Sequence, residues 1–480
     1  MNRFESRRKE FMSRIGDSIA ILPAGNEQIR NDDVTHAFRQ DSDFFFLTGF
    51  AEPDAIAAFD PGHDTEQFTL FVRPRDPETE AWNGRRAGIE GALEKYGADA
   101  AHTLDEFDNW LRKRLVGRSS AAYTLGGTHD ARFVAALDAA RGHANRVGHT
   151  VPDRIIDPRT ILHEMRLIKS PEEIDALREA CHISAVAHTE AMRYARPGRT
   201  ERQVQAAIEY VFSSMGSERI GYGSIVAGGD NAVILHYVEN EMALVDGDLL
   251  LIDAGAEYHH LTADVTRTFP INGRFSAPQR AVYELVLDAE RRVIEMCSPG
   301  LPYTEMHTAA IEILSAGLVD LGLLPGTTDE VIEKGWYRQF FFHGTGHWLG
   351  IDVHDAGAYR VEGKGRPLEP GMAFTVEPGI YVAPEKSTLS LSHAGYDSDE
   401  AMRLVYELGS AEAKTERERH KEATGHVSFD VPAEFLGIGV RIEDDIVVTE
   451  TGIENLSIGA PVDPDDIEAV WDQESELPSF

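Results

Sequence analysis

Cysteine is nearly absent. Cys181 and Cys297 are the only two in 480 residues, which leaves no disulfide framework. Basic charge is also scarce: Asp and Glu number 81 against 46 Lys and Arg, a formal net charge of −35. Nucleic acid and anionic membrane surfaces both demand basic patches, so neither is an expected partner. Most of the acidic excess reads as solvated surface. No stretch approaches the ~18 consecutive apolar residues of a membrane-crossing helix. The first eight residues, Met1 to Arg8, are charged and lack the apolar core of a secretory signal. The cytoplasm is the expected location.

A chain of this length exceeds one ordinary core, so two or more domains are expected. Residues 1–165 read as an α/β domain. Ser18 to Pro23, Asp43 to Phe50 and Phe68 to Val72 carry strand signals, and Thr103 to Val116 carries helical spacing. Asp157-Pro158-Arg159 marks a boundary region, and residues 166–480 form the second domain. That domain opens with Ser170-Pro171-Glu172-Glu173, a helix start with a cap residue and Pro at the first helical position. A further helix is expected from Thr200, and others over Asp288 to Met296 and Thr304 to Leu321. Residues 385–434 are charged and mostly helical in pattern. Within them, Lys414 to Glu422 reads as a solvated face or a disordered loop. The tail from Pro461 reads as loosely ordered.

Chemistry concentrates in His343-Gly344-Thr345-Gly346-His347, running on to His354, three histidines within twelve residues. The glycines argue against a helix, and no Glu follows the first His, so this is not the helical zinc-protease motif. Phe340-Phe341-Phe342 before it reads as a buried strand. Elsewhere, acids stand in apolar frames. Leu249 to Asp253 is a buried strand ending in a carboxylate. Asp264 opens a second strand candidate, close enough for a hairpin that sets the two acids side by side. Glu377 follows Ala373 to Val376, and Glu443 lies in an alternating run with Arg441 on its face. His236 ends a strand candidate over Ala232 to Tyr237. A buried carboxylate must be paired, protonated or metal-bound. Asp253, Asp264, His347, Glu377 and Glu443 together supply about −4 charge, which two divalent cations balance. Oxygen ligands with one imidazole suit Mn²⁺, and the chemistry such a pair supports is amide hydrolysis.

Five segments, in order, resemble the metal-site motifs of the pita-bread metallopeptidases. They are Leu251 to Gly255, Asp264 to Thr268, His343 to His347, Thr375 to Gly379 and Arg441 to Asp444. Arg39 to Phe44 and Trp82 to Arg86 resemble the N-terminal domain of aminopeptidase P. The resemblance spans nearly the whole chain but not residues 385–434, which read as an insertion. It implies an α/β (α+β) protein whose catalytic domain has pseudo-twofold symmetry and helices outside a curved antiparallel sheet. It also implies that Asp253 chelates one metal, His347 and Glu377 serve the other, and Asp264 and Glu443 bridge. Glu377 aids proton transfer, His354 and His236 contact substrate or oxyanion, His343 lines the pocket, and Arg441 braces the ligands. The implied substrate is a peptide with proline second. Its tertiary amide lacks the N–H that ordinary peptidases use. A homo-oligomer, dimer or tetramer, is implied as well, with Trp82 the candidate contact.

Two other readings stay open at this stage. A prolidase, specific for Xaa-Pro dipeptides, shares the metal site but needs a cation for the substrate carboxylate. Arg360, Lys364 and Arg366 are candidates. A non-catalytic module on the same fold is the remaining alternative, although none of the five ligand positions is lost.

Overall fold

The computed structural model describes residues 3–477, and the chain divides into two compact units, Met1–Arg166 and Leu167–Phe480. In the first, a mixed six-stranded sheet runs in the order Ala100–Thr103, Phe68–Val72, Ile56–Phe59, Ile19–Pro23, Ser120–Ala122, Arg154–Ile156. Its central strands are buried along almost their whole length. That is why they read as continuous apolar runs rather than alternating ones. Helices Phe107–Arg114 and Asp130–Val147 pack Phe107, Leu111, Phe133 and Leu137 against Ile19, Ile56 and Phe71.

The strand expected over Asp43 to Phe50 is instead a helix, Ser42–Thr48. The Asp41 carboxylate accepts from the Phe44 N–H at 2.8 Å, and Gly49 closes the helix in the left-handed conformation. An N-cap and a glycine stop at this spacing outweigh the strand preference of three phenylalanines.

In the second unit every strand pairing is antiparallel. Leu249–Asp253 lies between Ile225–Gly228 and Thr266–Pro270. Ala373–Val376 pairs with Asp444–Val448, and Gly379–Val382 with Ile438–Arg441. A bridge between Thr266 and Glu443 joins the two sets of strands. Long helices cover the sheet: Pro171–Tyr194, Glu201–Ser214, Ala277–Met296 and Tyr303–Asp320. Three of them open with a capping box, at Ser170, Thr200 and Ser276, so their first-turn donors are satisfied by local sequence. The helix expected from Asp288 starts eleven residues earlier, at Ala277.

Other expectations are corrected here. Phe340 to Phe342 is not a strand. It follows the 3₁₀ turn Trp336–Gln339, with Phe340 and Phe341 buried and the Phe340 carbonyl accepting from Tyr381 N–H at 2.9 Å. Ala232 to Tyr237 begins in a 3₁₀ turn and continues irregularly, held by a bond from Tyr237 Oη to Glu201 at 2.8 Å. The strand after Asp264 starts only at Thr266. Of the two readings of Lys414 to Glu422 the solvated face holds and the loop does not, since the run lies largely exposed in the helix Ser410–Thr424. That helix and Ser398–Leu408 sit between the paired strands Thr388–Ser392 and His426–Asp430. The tail is ordered well past Pro461. Pro464–Trp471 is a helix, and Arg196 lies over the Trp471 ring at 3.9 Å. The tail's final residues, 478–480, fall outside the described residues.

His188 links a helix to the strand that carries Asp253. Fully buried on Pro171–Tyr194, it contacts the Ala254 carbonyl through Nε2 at 3.0 Å. Burial lowers its pKa to about 4. Between pH 6.5 and 4 the unfolded chain therefore takes up a proton that the folded chain refuses, so stability is lost as pH falls through this window. Replacing His188 by Gln removes this contribution. The stability gap between parent and variant should shift by about 3 kcal/mol in the variant's favour from pH 7 to pH 4, read from paired denaturation curves. A constant gap refutes the assignment.

Candidate active site

Asp253 ends its strand where the neighbouring strand offers Thr266 as register partner, and Glu443 bridges to the same Thr266. Thr266 Oγ1 donates to Glu443 Oε2 at 2.6 Å. Two acids from the two sets of strands thus meet at one residue. The clean alternation expected around Glu443 is interrupted, because the strand stops at Arg441 and restarts at Asp444. Gly255 has no room for a side chain, since a Cβ there would collide with the Ala263 carbonyl. This close approach folds Asp264 back beside Asp253. The Tyr222 hydroxyl reaches Asp253 Oδ1 at 2.6 Å and Asp264 Oδ1 at 2.5 Å.

His347 arrives on an extended segment, as the glycines implied. A Cβ on Gly346 would meet the Thr375 carbonyl, so glycine lets this segment lie against the strand leading to Glu377. The Glu377 N–H donates to Thr345 O at 2.8 Å. Nδ1 of His347 contacts the Trp348 carbonyl at 3.0 Å, which directs Nε2 towards Asp264 Oδ2, 3.3 Å away, and Glu377 Oε1, 3.9 Å away. A backbone carbonyl on one ring nitrogen is the usual way to fix an imidazole that ligates through the other.

All nine residues singled out in the sequence line one cavity of about 390 Å³: Asp253, Asp264, His347, Glu377, Glu443, His354, His236, His343 and Arg441. His354 stacks edge-on against His347 with ring centres 4.3 Å apart, and His236 is exposed. Arg441 Nη2 lies 2.5 Å from Asp253 Oδ2, Nη1 donates to Tyr381 Oη at 3.1 Å, and Nε to Thr266 Oγ1 at 3.2 Å. It braces Asp253 directly. Tyr381 Oη also contacts His343 Nε2 at 2.9 Å. Tyr222 and Tyr381 were missed in the sequence. Neither stands in a charged or periodic pattern that marks it.

Burial, and then the charges of Asp264, Glu377 and Asp253, push the Glu443 carboxyl well above its ordinary range. Burial raises Asp253 despite Arg441 and lifts Glu377 to about 7. Burial disfavours the His347 imidazolium, but its contact with Asp264 and the charges of Asp264 and Glu377 prevail, raising it to about 9. His343 falls to about 3, through burial and then Arg441. Arg441 is the one Lys or Arg among the lining residues. Four crowded carboxylates cannot all ionise against one guanidinium and one imidazolium. The single proton of Tyr222 also cannot serve both aspartates. Ligand atoms of Asp264, His347 and Glu443 lie within 4.8 Å of one another, compact enough for shared cation ligation. The donor set, oxygens with one imidazole, fits divalent cations.

Known proteins match this chain over nearly its whole length. The family model "Metallopeptidase family M24" matches residues 175–450, and "Aminopeptidase P, N-terminal domain" matches residues 4–123. The chain is 41% identical to the Xaa-Pro aminopeptidase of Haemophilus influenzae, covering 97% of this chain and 96% of that one. Among solved structures, Pseudomonas aeruginosa aminopeptidase PepP superposes with a TM-score of 0.87 at 44% identity, covering 98% and 97% of the two chains. Escherichia coli aminopeptidase P with the inhibitor Pro-Leu gives 0.85 at 39%, with the same coverage. The chain therefore belongs to metallopeptidase family M24, with the pita-bread fold, and within it to the Xaa-Pro aminopeptidases.

Proposed function

We propose that this Xaa-Pro aminopeptidase works with two divalent cations, Mn²⁺ the preferred ion, held by Asp253, Asp264, His347, Glu377 and Glu443. Asp253 would help hold one ion and His347 and Glu377 the other, with Asp264 and Glu443 shared between them. The observation that carries this reading is the group of four acids around one cavity with a single guanidinium among its lining residues. When bound, such cations polarise a carbonyl and lower the pKa of water.

The chain's own residues do the rest. Arg441 neutralises one face of Asp253 and fixes its rotamer. Glu377, which lines the cavity beside His347, accepts and returns a proton. Neutral His343 hydrogen-bonds Tyr381 and leaves the pocket wall uncharged. His354 and His236 stand where donors are wanted for the substrate carbonyl as charge develops on its oxygen. A peptide with proline second offers no N–H at the scissile amide, so alignment depends on such side chains.

The prolidase reading finds no support. None of Arg360, Lys364 and Arg366 lines the cavity, and Arg360 pairs with Asp399 at 3.1 Å. No helix among the described residues is long and apolar enough to cross a membrane. Cys181 and Cys297 are both free and buried, which supports a cytoplasmic location. Trp82, 86% exposed on the short helix Pro77–Asn83, supports a homo-oligomer, because a large exposed aromatic favours an interface.

Exhaustive chelation should abolish hydrolysis of an Xaa-Pro tripeptide and lower the melting temperature, and Mn²⁺ should restore both. Saturating metal adds about 2.7 kcal/mol at a hundredfold excess over Kd. An Xaa-Pro dipeptide should be the poorer substrate. Full activity without metal would sink the proposal. Glu377→Gln should lower kcat by ~10² or more while the chain still folds. Turnover near the parent's with metal bound would exclude it as the proton carrier. Sedimentation should show a dimer or tetramer that Trp82→Ala weakens; a fully active monomer at every concentration would refute the oligomer.

A further inference from the structure

Residues 385–434 contribute nothing to the lining of the active-site cavity, yet with residues 334–339 they line a second, partly open cavity of about 340 Å³. One wall is the helix Ser410–Thr424, on which Lys414, Arg417 and Lys421 fall at i, i+3 and i+7 and so form one stripe. Lys334 and Arg338 stand on another wall, and Glu418 is the one acid among the lining residues. Five cations thus share a small cavity with one carboxylate, in a chain of net charge −35.

The two helices of this segment supply an internal comparison. Arg419 pairs with Glu416 at 3.4 Å, and Arg403 lies 3.8 Å from Glu400 and 3.7 Å from Glu407. The cavity-lining cations are treated differently. Among the described residues, no carboxylate lies within ion-pair distance of Arg338, Lys414, Arg417 or Lys421. Arg417 spends only Nε, on the Ala413 carbonyl at 3.3 Å. Arg338 lies over the Tyr396 ring at 4.4 Å, and Lys334 over Trp336 at 4.7 Å while also paired with Glu330. Like charges gathered around one cavity repel one another, and of the five only Lys334 is paired with an acid.

We infer that this cavity binds a small multivalent oxyanion of the phosphate class. Ammonium and guanidinium donors from two walls supply the charge-assisted hydrogen bonds that such an oxyanion takes. The volume is at the lower end of small-molecule sites, which suits a free phosphate or a phosphate monoester rather than a polymer. The aromatic rings of Trp336 and Tyr396 complete the lining.

Calorimetric titration of the metal-loaded full-length protein with inorganic phosphate, and separately with AMP, at low ionic strength tests this. Saturable binding is expected that weakens with added salt and falls ~10-fold or more in the triple variant K414Q/R417Q/K421Q. Peptide hydrolysis should be unchanged in that variant, since none of the three touches the active site. Glu418→Gln removes the one lining carboxylate and should tighten binding, an outcome that loss of folding cannot mimic. Tighter binding of AMP than of phosphate identifies an organic monoester as the ligand; equal binding identifies the free ion. Absence of saturable binding, equal affinity in the triple variant, or weaker binding by Glu418→Gln would overturn the inference.

Discussion

Four carboxylates brought together away from water set the terms for the Leu167–Phe480 unit. Each alone costs several kcal/mol to bury in ionised form, and together they raise one another's pKa. Their nearest supports answer that cost. Arg441 gives hydrogen bonds to three partners from a buried position, and Thr266 donates to Glu443 while accepting from Arg441. Behind them Arg267, fully buried, donates to Asp444 at 2.6 Å and to the Glu443 carbonyl at 2.8 Å. The sheet is built so that strand ends converge, because only there can acids leave the apolar run that delivers them.

Much of this was legible in the chain. An apolar strand ending in an acid, as in Leu249 to Asp253, cannot be explained by packing, and the same pattern at Val376-Glu377 reinforced it. The glycines around His347 excluded a helix for a reason the structure bears out, the close approach of Gly346 to Thr375. What escaped were residues whose role depends on distant pairing. Tyr222 sits between two glycines and reaches the site because Gly221 N–H donates to Gly255 O at 2.9 Å, a contact with no local signature. Tyr381 reads as an ordinary strand aromatic until its strand pairs with Ile438–Arg441. The two phenylalanine runs were misread because strand propensity reports a half-buried surface rather than a backbone preference. At Ser42–Thr48 the decisive signals were the flanking Asp41 and Gly49.

Residues 385–434 show a different limit. Their charge set them apart in the sequence, but Leu389, Leu391 and Val431 belong to the core, and Thr388–Ser392 pairs with His426–Asp430. The paired strands bring the ends together, so the closure cost grows only slowly with the length between them. Charge density alone did not reveal that one face of the Ser410–Thr424 helix lines a cavity.

The bridge between Thr266 and Glu443 has a kinetic meaning. Its partners are 177 positions apart, and contacts of such high sequence separation form late, after shorter loops have closed. Asp253 and Asp264 lie on one side of that separation, Glu377 and Glu443 on the other. Of the five proposed cation ligands, a chain in which the two sides have not yet met brings together two on one side and three, with His347, on the other. In the proposed site, an ion held by both sides would act as a clasp on that seam.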